Sequence, residues 1–215
     1  MTGNKKTSGK RKTAQADFSG VIGFLSHFHP VFDCADDIML RLTRVYLPQK
    51  TVILKPGQIA NCVFFIEDGT LKSSEMRGDK EYINWILMGP AFAHNGRAFH
   101  TQSPCVELVD AVEPSVVSFL NYDDLYYLIE KHHSFAVCMF KLLGHITSMR
   151  EINFSLMMST PDLEIRVRRI AMIYPGLLSR VPLRLLALYM RMTPETLSRI
   201  VNKPEFADLK NKQDK

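Results

Sequence analysis

The 215-residue chain has no closely spaced pair of cysteines: the four stand at positions 34, 62, 105 and 138, no two nearer than 28 positions. That spacing excludes a CxxC redox motif, a zinc-finger framework and a clustered iron–sulfur set, and it suits a reducing cytoplasm. Long apolar runs are missing as well. "VIGFL", which follows the polar N-terminal residues, is too short for the core of a secretory leader, and Lys141 cuts off the run "FAVCMF", so no membrane span is expected. No GxGxxG or Walker pattern occurs, which leaves a dinucleotide-binding or nucleotide-hydrolysing site without support. The histidines lack the grouping of a metal site. The HxH pair, His27 and His29, falls in a segment read as helical; His94 and His100 sit in a loop without a close carboxylate; His132 and His133 are consecutive and point to different sides of any helix. A cupin-like metal enzyme, the alternative from the enzyme class, is thus without its ligand set. No catalytic residue, metal or cofactor is expected.

What is present is an ordinary globular composition, 46% hydrophobic and 23% charged, with the charge unevenly placed. Residues 1–16 hold five basic residues and no acid, residues 17–159 count 11 basic against 16 acidic, and residues 160–215 count 11 against 6. An acidic middle between basic ends suits a polyanionic partner near the C-terminus. The first 16 residues are poor in apolar side chains and read as a disordered basic tail.

Residues 18–46, with Ile22, Leu25, Ile38, Leu42 and Val45, read as short helices around the breaker "HFHP". From residue 50 to residue 120 short β runs alternate with turn signals: "TVIL", "CVFFI", "LKSSEM", "EYINWIL", then "CVELVDAV" and "SVVSFL". Such runs, punctuated by glycine and proline, predict an antiparallel roll rather than βαβ units. After Asn121 the period becomes helical, with Asp123 and Asp124 suited to a first turn. A long helix is expected over residues 135–158, where Phe135, Cys138, Leu142, His145, Met149, Ile152 and Leu156 recur at alternating steps of three and four. Phe135, Leu142, Met149, Ile152 and Leu156 are the expected contacts of a homodimer formed through this helix, with Met139, Leu143 and Ile146 as a second apolar flank, so that one face can meet the roll and the other a second copy. Packing of the stripe on the roll alone is the plainer alternative.

The stretch "RVPLRLLALYMRMTPETLSRIVNKP", residues 180–204, carries two short helical patterns joined by a tight turn. Leu183, Leu186, Ala187 and Met190 share one face of the first; Leu197, Ile200 and Val201 share one face of the second. Small Ala187 permits a close, steep crossing. Thr193 and Pro194 suit the cap and first position of the second helix, and Pro204 stops it. Its other face, Glu195, Ser198, Arg199 and Asn202, offers only groups that hydrogen-bond base edges or phosphates, as a helix in a major groove requires. The plain alternative for Glu195 and Arg199 is a surface ion pair four residues apart.

"YPGLLSRVPLRLLALYMRMTPETLSRIVNK" resembles the helix-turn-helix of the Crp/Fnr superfamily of transcriptional regulators. Upstream, "LKPGQIANCVFFIEDGTLKSS" and "DKEYINWIL" are similar to that family's cyclic-nucleotide-binding-like β-roll. The resemblance runs from about residue 18 to residue 203 and implies, in order, β-roll, dimer helix and DNA-binding domain. It implies that Glu195 and Arg199 read bases, that Thr193, Thr196 and Ser198 contact phosphate or base, and that Lys203 lies near the DNA backbone. Arg191 stands where the turn normally has glycine, which makes the turn strained or reshaped and offers a further phosphate contact. After Pro204 only "EFADLKNKQDK" remains, too short for a winged hairpin.

In the effector region the family's Gly-Glu pair and phosphate-holding arginine have no counterpart in "PAFAHNGRAFHTQSPCVEL". Glu107 would repel a phosphate, which argues against cyclic AMP. Arg97 is the candidate for some other anion. The reading is an α+β protein: basic tail 1–16, antiparallel β-roll sensor domain 17–134 with flanking helices, dimerisation helix 135–158, helix-turn-helix domain 159–204 and polar tail 205–215. The implied function is that of a cytoplasmic, homodimeric DNA-binding regulator with an unidentified small-molecule effector. Its partners are double-stranded DNA and, by the resemblance, RNA polymerase. A ligand-binding or protein-interaction module with a degenerate DNA-binding helix is the competing reading.

Overall fold

The run "VFFI" is apolar without alternation because both faces of its strand are covered. In β3 (Cys62–Asp68) Phe64 and Ile66 point into the roll beside Leu71, Ala111 and Val117, while Val63 and Phe65 pack outward with Leu120, Leu125 and Phe135. The structure, a computed structural model, describes residues 17–159 and 161–211; the expected basic tail and the last four residues lie outside them. Among the described residues, eight strands form two antiparallel four-stranded sheets. The first has the order β1 (Thr43–Leu47), β8 (Ser115–Asn121), β3 and β6 (Ala91–Ala93); the second has β2 (Val52–Leu54), β7 (Leu108–Ala111), β4 (Thr70–Arg77) and β5 (Lys80–Met88).

The helices cover the outer faces. Against the first sheet lie α1 (Ser19–Ser26), α2 (Ala35–Arg41), α4 (Tyr122–Lys131) and the first half of α5 (His133–Ser159). Asn121 caps α4 by accepting from the Asp124 amide at 2.8 Å, and Asp123 and Asp124 stand in its first turn as expected. Against the second sheet lie the C-terminal helices α6 (Leu163–Ile173), α7 (Leu177–Arg180), α8 (Leu183–Tyr189) and α9 (Pro194–Val201). Their core is continuous with Ile83, Ile86 and Val112 of the roll.

Three expectations are corrected. Residues 43–47, read as the end of a helical region, form β1 and pair with β8, Val45 opposite Val117. Residues 205–211 are more than a tail: a 3₁₀ turn Pro204–Phe206 leads into α10 (Ala207–Asn211), and Phe206 is fully buried. Among the described residues no strand follows β8, so no winged hairpin occurs there. The third correction concerns α5. Phe135 and Leu142 are buried against α1 and the roll, Leu156 is buried in the C-terminal cluster, and Met149 is half-buried; of the five expected dimer contacts only Ile152 is exposed. The alternating spacing identifies an apolar face, and neighbours within the same chain cover it at Phe135, Cys138, Leu142 and Leu156 but not at His145 or Ile152.

Candidate nucleic-acid interface and effector cleft

The two helices of residues 180–204 cross as their apolar faces require. Leu186, Ala187 and Met190 of the first, and Leu197, Ile200 and Val201 of the second, are all buried in one cluster. Thr193 has extended backbone, and its hydroxyl accepts from the Thr196 amide at 3.2 Å, with Pro194 at the first helical position. Arg191 holds the turn in the left-handed region at φ 58°, the place where glycine is usual. For a side-chain-bearing residue this costs about 1–2 kcal/mol. The cost is met in part because its guanidinium lies over the Tyr82 ring of β5, 4.9 Å from the centroid. Buried Arg166 of α6 ties the same turn down by donating to the Met190 carbonyl at 3.1 Å.

The outer face of α9 carries the residues singled out in sequence. Glu195, Arg199 and Asn202 are exposed, and Thr196 and Ser198 are half-buried. Among the described residues no ion pair joins Glu195 to Arg199, so the plain surface-pair reading is not realised here. Thr193 donates its hydroxyl hydrogen to Thr196 Oγ1 at 3.0 Å, and Asn202 donates to Ser198 Oγ at 3.4 Å. Lys203 is set apart from this face: its ammonium pairs with Glu164 of α6. Arg184 on α8 is exposed beside them.

The C-terminal helices are tied to the roll and to α5 by polar contacts that no local sequence signal announces. Arg180 donates from Nε and Nη2 to Glu113 in the β7–β8 turn at 3.1 and 2.7 Å, and Asn153 of α5 donates to the Tyr174 hydroxyl at 2.6 Å. Partners so distant in the chain leave no local pattern. Burial pushes the Tyr189 hydroxyl up, so it stays protonated.

The loop read as a candidate effector region contains β6 and a short helix α3 (Gly96–Thr101), capped by Asn95, whose side chain accepts from the Ala98 amide. An asparagine followed by glycine was the available signal for that cap. Glu107 Oε2 accepts from Ser73 Oγ and from Asn95 Nδ2, both at 2.8 Å, so a carboxylate occupies this part of the roll. Arg97 is exposed on α3. His94 is buried, 5.6 Å from the rings of Phe92 and His100, and its Nδ1 has no hydrogen-bond partner.

Burial first, then the charges of Arg150 and His100, hold the His94 pKa down from 6.5 to about 4. Between those two values the unfolded chain takes up a proton that the folded chain refuses. Stability contributed here therefore declines as pH falls from 6.5 towards 4 and is lost no further below that. The urea midpoint of the wild type should fall more steeply over this window than that of a His94→Gln variant. Equal slopes would assign the titration to other groups.

The profile of the cyclic nucleotide-binding domain family matches residues 44–132, which span the roll and α4. No curated protein matches the sequence. Solved structures share the fold. FixK2 from Bradyrhizobium japonicum superposes with a TM-score of 0.62 at 14% identity, over 74% of this chain and 82% of that one. The c-di-GMP-responsive global regulator CLP from Xanthomonas campestris gives 0.60 at 16% identity, over 80% and 91%. A protein classed with the Crp/Fnr family of transcriptional regulators, from Eubacterium rectale, gives 0.59 at 11% identity, over 79% and 81%. Residues 44–132 are thus similar to the cyclic nucleotide-binding domain family, and the succession of β-roll, long helix and C-terminal helices is a fold shared with these solved structures.

Proposed function

We propose that this protein is a homodimeric, sequence-specific DNA-binding regulator of transcription, working in the cytoplasm, whose roll responds to an effector other than cyclic AMP. The observation that carries the reading is the outer face of α9: Glu195 and Arg199 project from a capped helix, exposed and without an ion pair to each other, over a fully packed apolar face. An arginine so placed can bond a guanine bidentately and a glutamate can accept from a cytosine amine. Glu107, held by Ser73 and Asn95, supports the exclusion of a cyclic phosphate from the roll.

The dimer seam in this reading differs from the one expected. Phe140 is 79% and Phe154 68% exposed on α5. With Gly144, Thr147 and Glu151, also exposed, they follow alternating steps of four and three. A second copy seated on this stripe would cover both rings and relate the two α9 helices by a twofold axis, as a palindromic operator requires. Selection of duplexes from a random pool, followed by titration at two salt concentrations, tests the reading. A palindromic motif should emerge, and affinity for it should drop by about 10³-fold or more between 50 and 200 mM salt if the dimer neutralises six or more phosphates. Equal, salt-insensitive binding to palindromic and scrambled duplexes would overturn it and leave a ligand-binding or interaction module.

A further inference from the structure

A cleft of about 790 Å³ opens between the edge strand β5, the middle of α5 and the C-terminal helices. Trp85 lines its roll wall, Met149 and Met157 its helix wall, and Tyr174 and Tyr189 its far end. The charged side chains at its border are Arg97, Arg150 and Arg191 against one carboxylate, Glu107. Glu107 already accepts from Ser73 and Asn95, and Arg191 already lies over Tyr82. Arg150 has no ion pair among the described residues.

The position of Arg150 is informative. A Cβ built on Gly96 would lie 3.9 Å from Arg150 Nη1 and 3.3 Å from His94 Nε2. The missing side chain of Gly96 therefore leaves a gap flanked by a guanidinium and a buried imidazole. Two buried polar atoms of residues lining the cleft, His94 Nδ1 on the roll side and Asn153 Oδ1 on α5, have no hydrogen-bond partner. From Arg150 to Met157 the cleft follows α5 for about 10 Å at 1.5 Å per residue, past flexible thioethers and aromatic rings.

We propose that this cleft binds an apolar carboxylate, its head group between Arg150 and His94 and its body lying past Trp85 and Met157 towards Tyr174 and Tyr189. One guanidinium and one neutral imidazole match the two oxygens of a carboxylate, whereas a phosphate diester would need more donors. Methionine and aromatic walls take an acyl or ring body of varied shape. Because the roll and the C-terminal helices both line the cleft, a ligand that favours one arrangement of the two would shift their equilibrium. The inference names the chemical class of the effector, and it rests on the regulator reading only for that regulatory consequence.

Trp85 is the only tryptophan in the chain, so its fluorescence reports on the cleft. The test titrates full-length wild type and Arg150→Gln with decanoate and with decanol, following fluorescence and calorimetric heat together, with cyclic AMP as a competitor. Decanoate should bind wild type saturably, decanol about tenfold or more weaker, and Arg150→Gln should lose about tenfold for decanoate while leaving decanol unchanged. Cyclic AMP should not compete. Equal affinity for acid and alcohol, indifference to Arg150→Gln, displacement by cyclic AMP, or neither signal nor heat would each overturn the proposal. Duplex binding by the same preparations separates the two readings: intact operator binding without decanoate binding removes this inference and leaves the regulator.

Discussion

Replacing Phe206 by alanine is expected to destabilise the protein by about 3–5 kcal/mol, the usual cost of deleting a fully buried aromatic ring. Its ring belongs to the cluster that contains Val167, Ile170, Leu197 and Ile200, so it closes the floor under α9. The Arg168 guanidinium lies over that ring, 4.8 Å from the centroid, and shields it from water. Residues 204–206 form one 3₁₀ turn with proline first, which fixes the direction in which the chain returns to the domain. Urea denaturation measures the effect. Phe206→Leu should lose less than half as much, since most of the volume is kept. Alanine at exposed Glu205, whose contact with Arg168 is 4.0 Å long, should change stability by less than about 0.5 kcal/mol. A Phe206→Ala loss below about 1 kcal/mol would mean that the turn is dispensable to the domain.

The contrast between Phe206 and the α8–α9 pair shows which parts of the fold are legible in the sequence. Thr193, Pro194 and the spacing of Leu197, Ile200 and Val201 are local signals, and each predicts the geometry found. Phe206 lies in a short, mostly polar segment with only Ala207 and Leu209 as apolar neighbours after it, too few to set a period that announces its burial. The strands of the roll are legible because turn residues separate them, except β1, whose exposed Thr43, Val45 and Tyr46 carry no clean alternation. Along α5 the apolar spacing predicts a buried face, and the fold supplies the cover from the same chain. The exposed stripe passes through Gly144, Thr147 and Glu151, which carry no hydrophobic signal at all. Arg191 is the clearest case of a tertiary answer to a local question. Sequence says that glycine belongs at a left-handed position, and the ring of Tyr82, far away in the chain, supplies part of what the backbone loses. In the cleft, His94, Gly96 and Arg150 come from a loop and a helix well separated in sequence, so only the fold brings them together.

Arg199→Ala is expected to weaken binding to the selected operator by about 1–3 kcal/mol, roughly fivefold to 150-fold, with a smaller loss on random duplex. The side chain is exposed and has no ion pair with Glu195, so its removal should alter folding stability by no more than about 0.5 kcal/mol. The affinity loss would then belong to the DNA contact and not to unfolding. Lys203 provides the internal comparison. Its ammonium is paired with Glu164, so in Lys203→Ala the first loss is a tie between α6 and the end of α9, felt as a small fall in stability. Any loss of affinity there should be shared equally by operator and random duplex, with a shallower dependence on salt, as removal of a phosphate contact predicts. Arg199→Ala behaving in that same even-handed way would make Arg199 a phosphate contact. The reading of bases would then have to pass to Glu195, Ser198 or Asn202 on the same face.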